Sequence, residues 1–498
     1  MPGTPVLTHD ELRGVEAQGM PREPSLMSLA GRAVAAAAAR LAEPSGAPIL
    51  VVAGPGNNGG DAWVAAAGLA AGFHSVVVLD AGASSPRAPE AIAAREALAA
   101  GRARIVREWP EGLRPALVID GLLGIGLSRD VDERFAEIVS RINAAAAPVL
   151  AIDVPSGLDS ATGRVRGCAV RASETLTFIA HKPGLHTLDG PDHCGRVRLE
   201  ELGLGPEARA AASGRLLEPA LVRGWLAPRR RNAHKGHFGT LGVIGGARGM
   251  VGAPLLAARA ALLTGAGKIR VGLLAAEAPG VDPMQPELMI GAIDDVLAAD
   301  VLVVGPGAGQ SASATSLSMF QRSTLPAALA SGKPLVVDAD ALNAVAYADS
   351  LRQSLVARKA PTLLTPHPAE AARLLGIDTA AVQADRLAAA LALARNFAAH
   401  VVLKGAGSIC ASPDGRWSVN TTGNAGLASG GTGDTLAGMI GAMLAQGLAP
   451  ERALQYAVCL HGAAADSLAA RGVGPIGMSA SEVALEARSL LNLWTSTD

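Results

Sequence analysis

Short, wholly apolar runs alternate along this chain with longer stretches in which apolar residues recur at helical spacing. An apolar run that ends in glycine or aspartate is typical of a strand buried on both faces of a parallel sheet. Residues 8–43 instead predict one or two helices, because Leu26, Leu29 and Val34 supply apolar spacing. In the first half, the apolar runs predict strands at Ala47–Ala53, Ser75–Leu79, Ala116–Ile119, Val149–Ile152, Glu174–Ala180 and, at a sheet edge, Gly195–Glu201.

The same alternation starts again in the second half of the chain. Residues 203–230 separate the two series, because they lack strand patterning and carry the proline and glycine of a linker. The halves show no internal repeat, so we predict two different α/β domains, at residues 1–210 and 211–498. A helix is predicted at Ala253–Thr264. The second series predicts strands at Gly239–Ile244, Lys268–Leu274, Val301–Val304, Leu335–Val337, Thr362–Leu364 and His400–Leu403.

Composition narrows the class of protein. The formal net charge is −1 at pH 7, so we expect no nucleic-acid partner. The four cysteines are widely spaced and form no CxxC pair, which predicts neither a zinc site nor a disulfide framework and favours a reducing cytoplasm. The first residues carry no secretory pattern, and no uninterrupted apolar run reaches the roughly 18 residues of a membrane span.

Loops that carry chemistry follow the predicted strands of the first half. Gly54–Asp61 reads GPGNNGGD and joins a strand to a helix, which is where open α/β sheets bind ligands. Asp120 and Asp153 each end a strand and precede a glycine-rich loop, so their carboxylates should meet at one sheet edge. The alternative for any such residue is an Asx turn, which we favour for Asp80.

The most informative loop is Gly430–Asp434, reading GGTGD ahead of an apolar helical run. Free N–H groups at a helix start bind anions, and Asp434 on the first turn could take a proton from a substrate hydroxyl. The combination suits phosphoryl transfer, which depends on positioning and charge stabilisation. The alternative is an ordinary glycine-rich loop capped by an aspartate.

Two further loops support this interpretation. Lys404–Ser408 reads KGAGS, which can hold phosphates by backbone N–H groups and one positive charge. Only six of the 43 basic residues are lysines, which suggests a chemical role for those beside glycine. His367 lies between two prolines at a strand end, and we favour function over a structural role for it.

The order of motifs resembles two known domains. The first half is similar to the NAD(P)H-hydrate epimerase domain, through GPGNNGGD (54–61), DxLxGxG (120–126), DVPSGLD (153–159) and TFIAHKPGL (177–185). The second half resembles the nucleotide-dependent NAD(P)H-hydrate dehydratase, through HKGHFG (234–239), GGARGMVGAP (245–254), GPGAG (305–309), VVDADALN (336–343), TPHPAE (365–370), KGAGS (404–408) and NAGLASGGTGD (424–434). Together they resemble the bifunctional repair enzymes of this family. The resemblance implies a Rossmann-like three-layer sandwich followed by a ribokinase-like α/β domain.

The resemblance also implies a reaction. Hydrated NADH and NADPH (NADHX and NADPHX) carry a hydroxyl at C6 of the reduced nicotinamide ring and exist as R and S epimers. The first domain would interconvert the epimers. The second would dehydrate the S form while it cleaves ADP or ATP to AMP or ADP and phosphate.

Carried over residue by residue, the resemblance implies the following sites. In the first domain, Asp153 is the acid–base candidate, with Lys182 as its partner, and Asn58, Asp120 and Ser156 are ligands of K⁺, which prefers oxygen donors. Substrate contacts there are Asn57, Asn58, Gly59, Gly60, Asp61, Gly124, Ile125, Gly126, Leu127, Ser128, Arg129, Asp130 and Asp153. In the second domain, Asp434 is the base. Hydrated-cofactor contacts there are Ala253, Gly307, His367 and Asp434, and nucleotide contacts are Lys404, Gly405, Ala406, Gly407, Ser408 and Gly433.

The implied partners are small molecules. Mg²⁺ is expected with the phosphates of ADP or ATP, and we expect a homo-oligomer without a membrane or nucleic-acid partner. The competing hypothesis is a vitamin-precursor kinase of the ribokinase-like superfamily, in which the first domain is a non-catalytic binding module. Such a kinase would share the GTGD base but does not predict the fused GPGNNGGD and DVPSG motifs.

Overall fold

The computed structural model describes residues 3–19, 23–42, 46–82, 88–101, 103–127, 129–309 and 318–496. The chain divides into two compact units, Gly3–Arg215 and Leu216–Asp498. Within the described ranges, no helix has the length and apolar character needed to cross a membrane.

The first unit is built on a parallel sheet. The unit's strands, of which all but β1 belong to this sheet, are β1 (Pro5–Val6), β2 (Ile49–Ala53), β3 (Val76–Asp80), β4 (Arg104–Val106), β5 (Leu117–Gly121), β6 (Val149–Ile152), β7 (Glu174–Phe178) and β8 (Arg196–Glu200). Its helices are α1 (His9–Gln18), α2 (Leu26–Leu41), α3 (Asn57–Ala71), α4 (Pro89–Ala100), α5 (Glu133–Ala144), α6 (Gly190–Cys194) and α7 (Gly205–Ala211). The sheet order is β4-β3-β2-β5-β6-β7-β8, and every neighbouring pair is parallel.

The second unit has a larger, mixed sheet. Its strands are β9 (Gly214–Leu217), β10 (Thr240–Gly245), β11 (Lys268–Leu273), β12 (Met289–Ile290), β13 (Val301–Val304), β14 (Leu335–Val337), β15 (Thr362–Leu364), β16 (His400–Leu403), β17 (Ile409–Ala411) and β18 (Trp417–Asn420). Their order is β9-β18-β17-β16-β15-β14-β13-β10-β11-β12. The strands from β16 through β12 pair in parallel, and β17 pairs antiparallel with both β16 and β18.

Helices cover this second sheet. They are α8 (Pro219–Val222), α9 (Gly252–Leu263), α10 (Ile293–Leu297), α11 (Leu325–Ala330), α12 (Asp340–Tyr347), α13 (Asp349–Val356), α14 (Pro368–Leu375), α15 (Thr379–Ala384), α16 (Arg386–Phe397), α17 (Thr432–Ala445), α18 (Pro450–Ala470) and α19 (Ala480–Thr495). The helix α17 packs closely on α9: a Cβ added at Gly438 would lie 1.9 Å from the carbonyl oxygen of Ala257. Glycine is therefore required there for close approach of the two backbones.

The α/β fold class is confirmed, and each predicted apolar run contains a strand. The cause is local, because strands with both faces covered by helices need apolar residues at every position, as in β2 and β6. Two interpretations were wrong. Residues 203–230 contain the strand β9 and the helices α7 and α8, and Asn57–Gly60 form the first turn of α3 instead of a loop. The short strands β17 and β18 were missed.

Candidate active sites

The turn after β2 brings two backbone segments into contact. A Cβ added at Gly59 would lie 1.9 Å from the carbonyl oxygen of Gly54, so a larger residue would separate the start of α3 from the end of β2. This packing fixes the first turn of α3. Asn57, Asn58 and Asp61 on that turn line a cavity of about 1010 Å³.

Behind this cavity lies a buried cluster of oxygen atoms. Asp120, at the end of β5, accepts hydrogen bonds from the Ser156 hydroxyl at 2.6 Å and the Ser156 backbone N–H at 2.8 Å. The Leu123 N–H donates to the Ser156 Oγ at 2.8 Å, and the Asn58 amide donates to the Leu123 carbonyl at 2.8 Å. Burial raises the pKa of Asp120, while the hydrogen bonds from Ser156 oppose the shift. The three predicted cation ligands therefore lie together, in a set of oxygen donors that suits a hard cation.

Asp153 occupies the turn after β6 in an unusual conformation. Its φ is +63°, a left-handed value that is uncommon for a residue with a side chain and is found often at functional sites. The Asp153 carboxylate accepts hydrogen bonds from Lys182, from the Thr177 hydroxyl at 3.0 Å and from the Phe178 N–H at 3.1 Å. The Lys182 ammonium also donates to Thr177 at 2.8 Å and to the Phe178 carbonyl at 2.9 Å. The structure thus places Asp153 and Lys182 in direct contact.

Most of the predicted substrate contacts of the first unit line the same cavity. The lining includes Asn57, Asn58, Asp61, Gly124, Ile125, Gly126, Leu127, Arg129, Asp153 and Lys182. Gly59, Gly60 and Asp130 do not line it, and Ser128 lies outside the described residues. A residue that the sequence did not indicate, Glu16 of α1, also lines the cavity.

The second site forms where loops follow the carboxyl ends of β10, β13, β14 and β15. A Cβ added at Gly307 would lie 3.0 Å from the Ala253 Cβ, so these two predicted contacts are neighbours. The Gly309 N–H donates to Asp340 at 2.8 Å, which joins the loop after β13 to the start of α12. The predicted multi-loop rim is therefore a connected set of backbone segments.

Three charged side chains meet at this rim. The Lys404 ammonium lies 3.2 Å from an Asp338 carboxylate oxygen and 4.0 Å from a Glu370 carboxylate oxygen. The Thr365 hydroxyl donates to the same Asp338 oxygen at 2.6 Å. Burial acts to lower the pKa of Lys404, but Asp338 and Glu370 outweigh it and the pKa is raised. Lys404 is therefore a fixed positive charge at neutral pH.

Asp434 lies on the first turn of α17, beside this lysine. A Cβ added at Gly433 would lie 3.3 Å from the Lys404 Nζ, so the ammonium reaches the start of the helix. Burial raises the pKa of Asp434 to about 7, and Asp338 adds to the shift while Lys404 opposes it. A carboxyl with a pKa near neutrality can accept and release a proton under physiological conditions, as a general base must.

The predicted nucleotide contacts are mostly glycine and alanine residues, which would bind through their backbone groups. In the loop Lys404–Ser408, the Ser408 hydroxyl donates to the Gly405 carbonyl at 3.0 Å, while Gly405 and Ala406 are exposed. The loop is thus folded on itself with peptide groups facing solvent, as an anion-binding turn requires. The three glycine and alanine positions of this loop, Gly405–Gly407, follow Lys404, whose ammonium reaches Gly433.

His367 has a structural role in the observed fold. It is the N-cap of α14: its Nδ1 accepts from the Ala369 N–H at 3.1 Å, and the Glu370 side chain accepts from the His367 N–H at 2.8 Å. Burial lowers the pKa of His367, and Lys404 lowers it further. The His367 Nε2 lies 3.3 Å from a Glu370 carboxylate oxygen, so both ring nitrogens have partners within α14, and contact of this side chain with the hydrated cofactor stays a prediction.

The sequence analysis did not single out two charged residues of these sites, Asp338 and Glu16. Asp338 was noted only as part of a loop, although it bonds Lys404 and Thr365. Glu16 was not noted, although an acid four residues after Leu12 shares a helix face with a buried position, which is a usable signal.

Comparison with known proteins follows this division of the chain. The family model described as NAD(P)H-hydrate dehydratase matches residues 241–486, and the model described as YjeF-related protein N-terminus matches residues 23–184. Both matches lie within the two units.

The relatives that match most of the chain share one description. The chain is 38% identical to the bifunctional NAD(P)H-hydrate repair enzyme Nnr of Escherichia coli, over 94% of this chain and 89% of the relative. It is 39% identical to the enzyme of the same description from Coxiella burnetii, over 90% of this chain and 91% of the relative. Among solved structures, an ADP/ATP-dependent NAD(P)H-hydrate dehydratase from Bacillus subtilis, co-crystallised with ATP and Mg²⁺, is 30% identical. That match covers 56% of this chain and 98% of the other, with a TM-score of 0.48.

Proposed function

The chain belongs to the family of bifunctional NAD(P)H-hydrate repair enzymes, and we infer from this that it restores NADH and NADPH from their hydrates in two steps. The first unit interconverts the R and S hydrates, and the second dehydrates the S hydrate with cleavage of ADP or ATP. The relatives match along both units, which supports both activities in one chain.

In the first unit, we propose that Asp153 takes the proton of the C6 hydroxyl. Lys182 holds the Asp153 carboxylate in position through a direct ion pair. The substrate lies in the cavity between the first turn of α3 and the loop that contains Gly124–Leu127. Because the hydroxyl-bearing carbon is also bonded to the ring nitrogen, removing this proton starts inversion at C6.

We propose that K⁺ binds beside Asp120, with Asn58 and Ser156 as further ligands. The buried donors there are oxygens, which fits the chemistry of an alkali cation. When bound, the cation offsets the burial of the Asp120 carboxylate, whose pKa burial raises. Holding Asp120, Ser156 and Leu123 together keeps the substrate loop that follows β5 in position.

In the second unit, we propose that Asp434 takes the proton of the C6 hydroxyl while that oxygen attacks the terminal phosphorus of the nucleotide. The O–P bond forms, the bond to the nucleotide leaving group breaks, and AMP leaves when ADP is the donor. The phosphate then leaves C6, C5 loses a proton, and the reduced nicotinamide ring is restored. Lys404 and the N–H groups of the start of α17 stabilise the phosphate charge, and Mg²⁺ arrives as part of the nucleotide substrate.

One observation carries this assignment. Burial raises the pKa of Asp434 to about 7, and this residue lies at a helix start beside the positive charge of Lys404. A vitamin-precursor kinase would use the same arrangement, so this feature alone does not separate the two functions. The cavity with Asp153 and Lys182 in the first unit separates them, because a kinase has no use for a second acid–base site.

Recovery of NADH absorbance from a mixture of R and S hydrates tests the function. We expect complete recovery with ADP or ATP, and faster conversion of the R form with K⁺ present than without it. A stable phosphorylated alcohol, with no recovery of NADH, would show a kinase instead.

The substitution Asp153→Asn tests the first site within the full chain. The neutral amide cannot take the hydroxyl proton, so recovery should stop near the S fraction of the mixture and continue only at the spontaneous rate. Recovery of the R fraction at the wild-type rate would refute the role of Asp153.

We also propose that the protein is a homo-oligomer in the cytoplasm. Light scattering of the purified protein tests the oligomeric state.

A further inference from the structure

The helix α1 places an unassigned carboxyl in the cavity of the first unit. The start of α1 is fixed by a capping box between Thr8 and Glu11, and Glu11 also accepts from the Ser213 N–H at 3.0 Å. Leu12 is buried on the inner face of the helix, and Glu16 follows one turn later and lines the cavity. The fold therefore holds Glu16 at this position by contacts that do not involve its own side chain.

The Glu16 carboxyl lacks a structural partner among the described residues. Within the part of the chain that the structure describes, it forms no hydrogen bond and no ion pair, and the same is true of the Asp61 carboxyl. Lys182 of the same cavity already donates to Asp153, Thr177 and Phe178. A half-buried acid without a partner costs free energy, so a role in binding or catalysis accounts for it better than a role in folding.

Several charged groups face Glu16. Lys182, Asp153, His9 and Arg13 act on it, and Glu16 in turn acts on Asp61. Glu90 and Arg129 also line the cavity. Burial raises the pKa of Glu16, while Lys182 opposes the shift; burial raises the pKa of Asp61 well above its ordinary value, and Asp153 and Glu16 add to it. Two carboxylates that line one cavity oppose each other's ionisation, so the protonated form of one of them is favoured.

Inversion at C6 needs two proton transfers. The C6 carbon carries both the hydroxyl and the ring nitrogen N1, so one balanced route is reversible ring opening. A base removes the hydroxyl proton, the C–O electrons form a carbonyl, the C6–N1 bond breaks, and N1 takes a proton from an acid. Rotation about the C5–C6 bond and closure on the opposite face reverse these transfers, so no proton, electron or co-reactant is consumed.

We propose that Glu16 is the acid that protonates the ring nitrogen while Asp153 acts as the base. The inference rests on the epimerase site proposed above. The two carboxyls lie on α1 and α3, and the Asp153–Lys182 pair follows β6 and β7, so a ring bound between them meets an acid and a base from separate elements. General acid–base catalysis by one group contributes about 100-fold or more to the rate.

The test uses the full-length protein without nucleotide, so that the second unit is idle. Chromatographic separation of the two hydrates over time gives the epimerisation rate from a single pure epimer. We expect Glu16→Gln to lower kcat about 100-fold with little change in KM, because Gln keeps the shape and loses the proton. Glu16→Asp should recover part of this loss. Asp10→Asn, an exposed acid on the same helix that does not line the cavity, is the matched control.

The pH profile separates a proton carrier from a structural residue. The alkaline limb of kcat/KM reports ionisation of the acid, so this limb should be lost in Glu16→Gln and stay in place in Asp10→Asn. Addition of ADP to each variant gives the dehydration rate of the S hydrate, which should be unchanged and reports folding of the rest of the chain.

Two results would overturn the inference. Glu16→Gln could match Asp10→Asn in kcat and pH profile, or it could raise KM alone, which would make Glu16 a binding contact. A wild-type protein that does not interconvert the hydrates would instead overturn the proposed epimerase function, and this inference with it.

Discussion

Asp434→Asn should make the protein more stable and remove its dehydratase activity. Burial raises the pKa of this carboxyl from 3.8 to about 7. At about 1.4 kcal/mol per unit, the shift corresponds to roughly 4 kcal/mol of unfavourable free energy for the ionised folded state. Asp434 is partly exposed, so we halve this figure to about 2 kcal/mol for solvent screening.

The sign of the pH dependence follows from the raised pKa. As pH rises from about 4 to about 7, the unfolded chain ionises Asp434 before the folded protein does, so the folded state loses stability. Above pH 7 the loss is complete, and the neutral amide of Asn avoids it. The gain in Asp434→Asn should therefore be nearly absent below about pH 4, partial near pH 5 and full near pH 8.

Differential scanning calorimetry at the two higher pH values measures the stability. A gain of about 2 kcal/mol should raise the Tm of the second unit by roughly 4–8 °C near pH 8 and by less near pH 5. Asp349→Asn, which removes an exposed carboxyl at the start of α13, is the control for the loss of one charge. Recovery of NADH from the S hydrate with ADP measures the activity, and interconversion of the hydrates should be unaffected.

Two results would refute the reasoning. If Asp434→Asn retained nucleotide-dependent dehydration, the assignment of the base would be wrong. If its Tm near pH 8 were the same as that of Asp349→Asn, burial would not be the cause of the raised pKa of Asp434.

Two other substitutions test the second unit. Lys404→Met should raise KM for ADP if Lys404 binds phosphate as proposed. It should also move the acid limb of dehydration to higher pH, because Lys404 lowers the pKa of Asp434; an unchanged limb would contradict the charge coupling. Gly438→Ala should lower the free energy of unfolding by about 3 kcal/mol or abolish folding, because its Cβ would lie 1.9 Å from the Ala257 carbonyl oxygen. Calorimetry measures the second effect, and Gly430→Ala, where a Cβ meets no neighbour, is its control.

The strands and the loops that follow them were predictable because their signals are local. A strand covered on both faces needs apolar residues throughout, so β6 and β13 are visible as apolar runs. Parallel strands deliver their carboxyl ends to one edge, so the position of Asp153 after β6 already indicated a site. The helix start at Asp434 was also visible in the sequence, because a glycine-rich turn followed by an apolar run indicates the start of a helix.

Helix boundaries inside glycine-rich segments were less predictable. Asn57–Gly60 look like a loop, because two asparagines and two glycines disfavour helix. They are helical because close approach to Gly54 fixes the turn. The strand β9 was missed for a related reason: a short strand between proline and glycine becomes ordered only when it joins a sheet.

The sequence by itself determined two α/β units, and it indicated the sheet edge at which we propose each site and the acids Asp153 and Asp434. Only the tertiary structure decided which groups act on them. Lys404 meets Asp338 across 66 positions of sequence, and Glu16 reaches the cavity of Asp153 from the first helix of the chain. The physical reason is that a pKa or an ion pair depends on burial and distance in space, and neither quantity is encoded in any local stretch of residues.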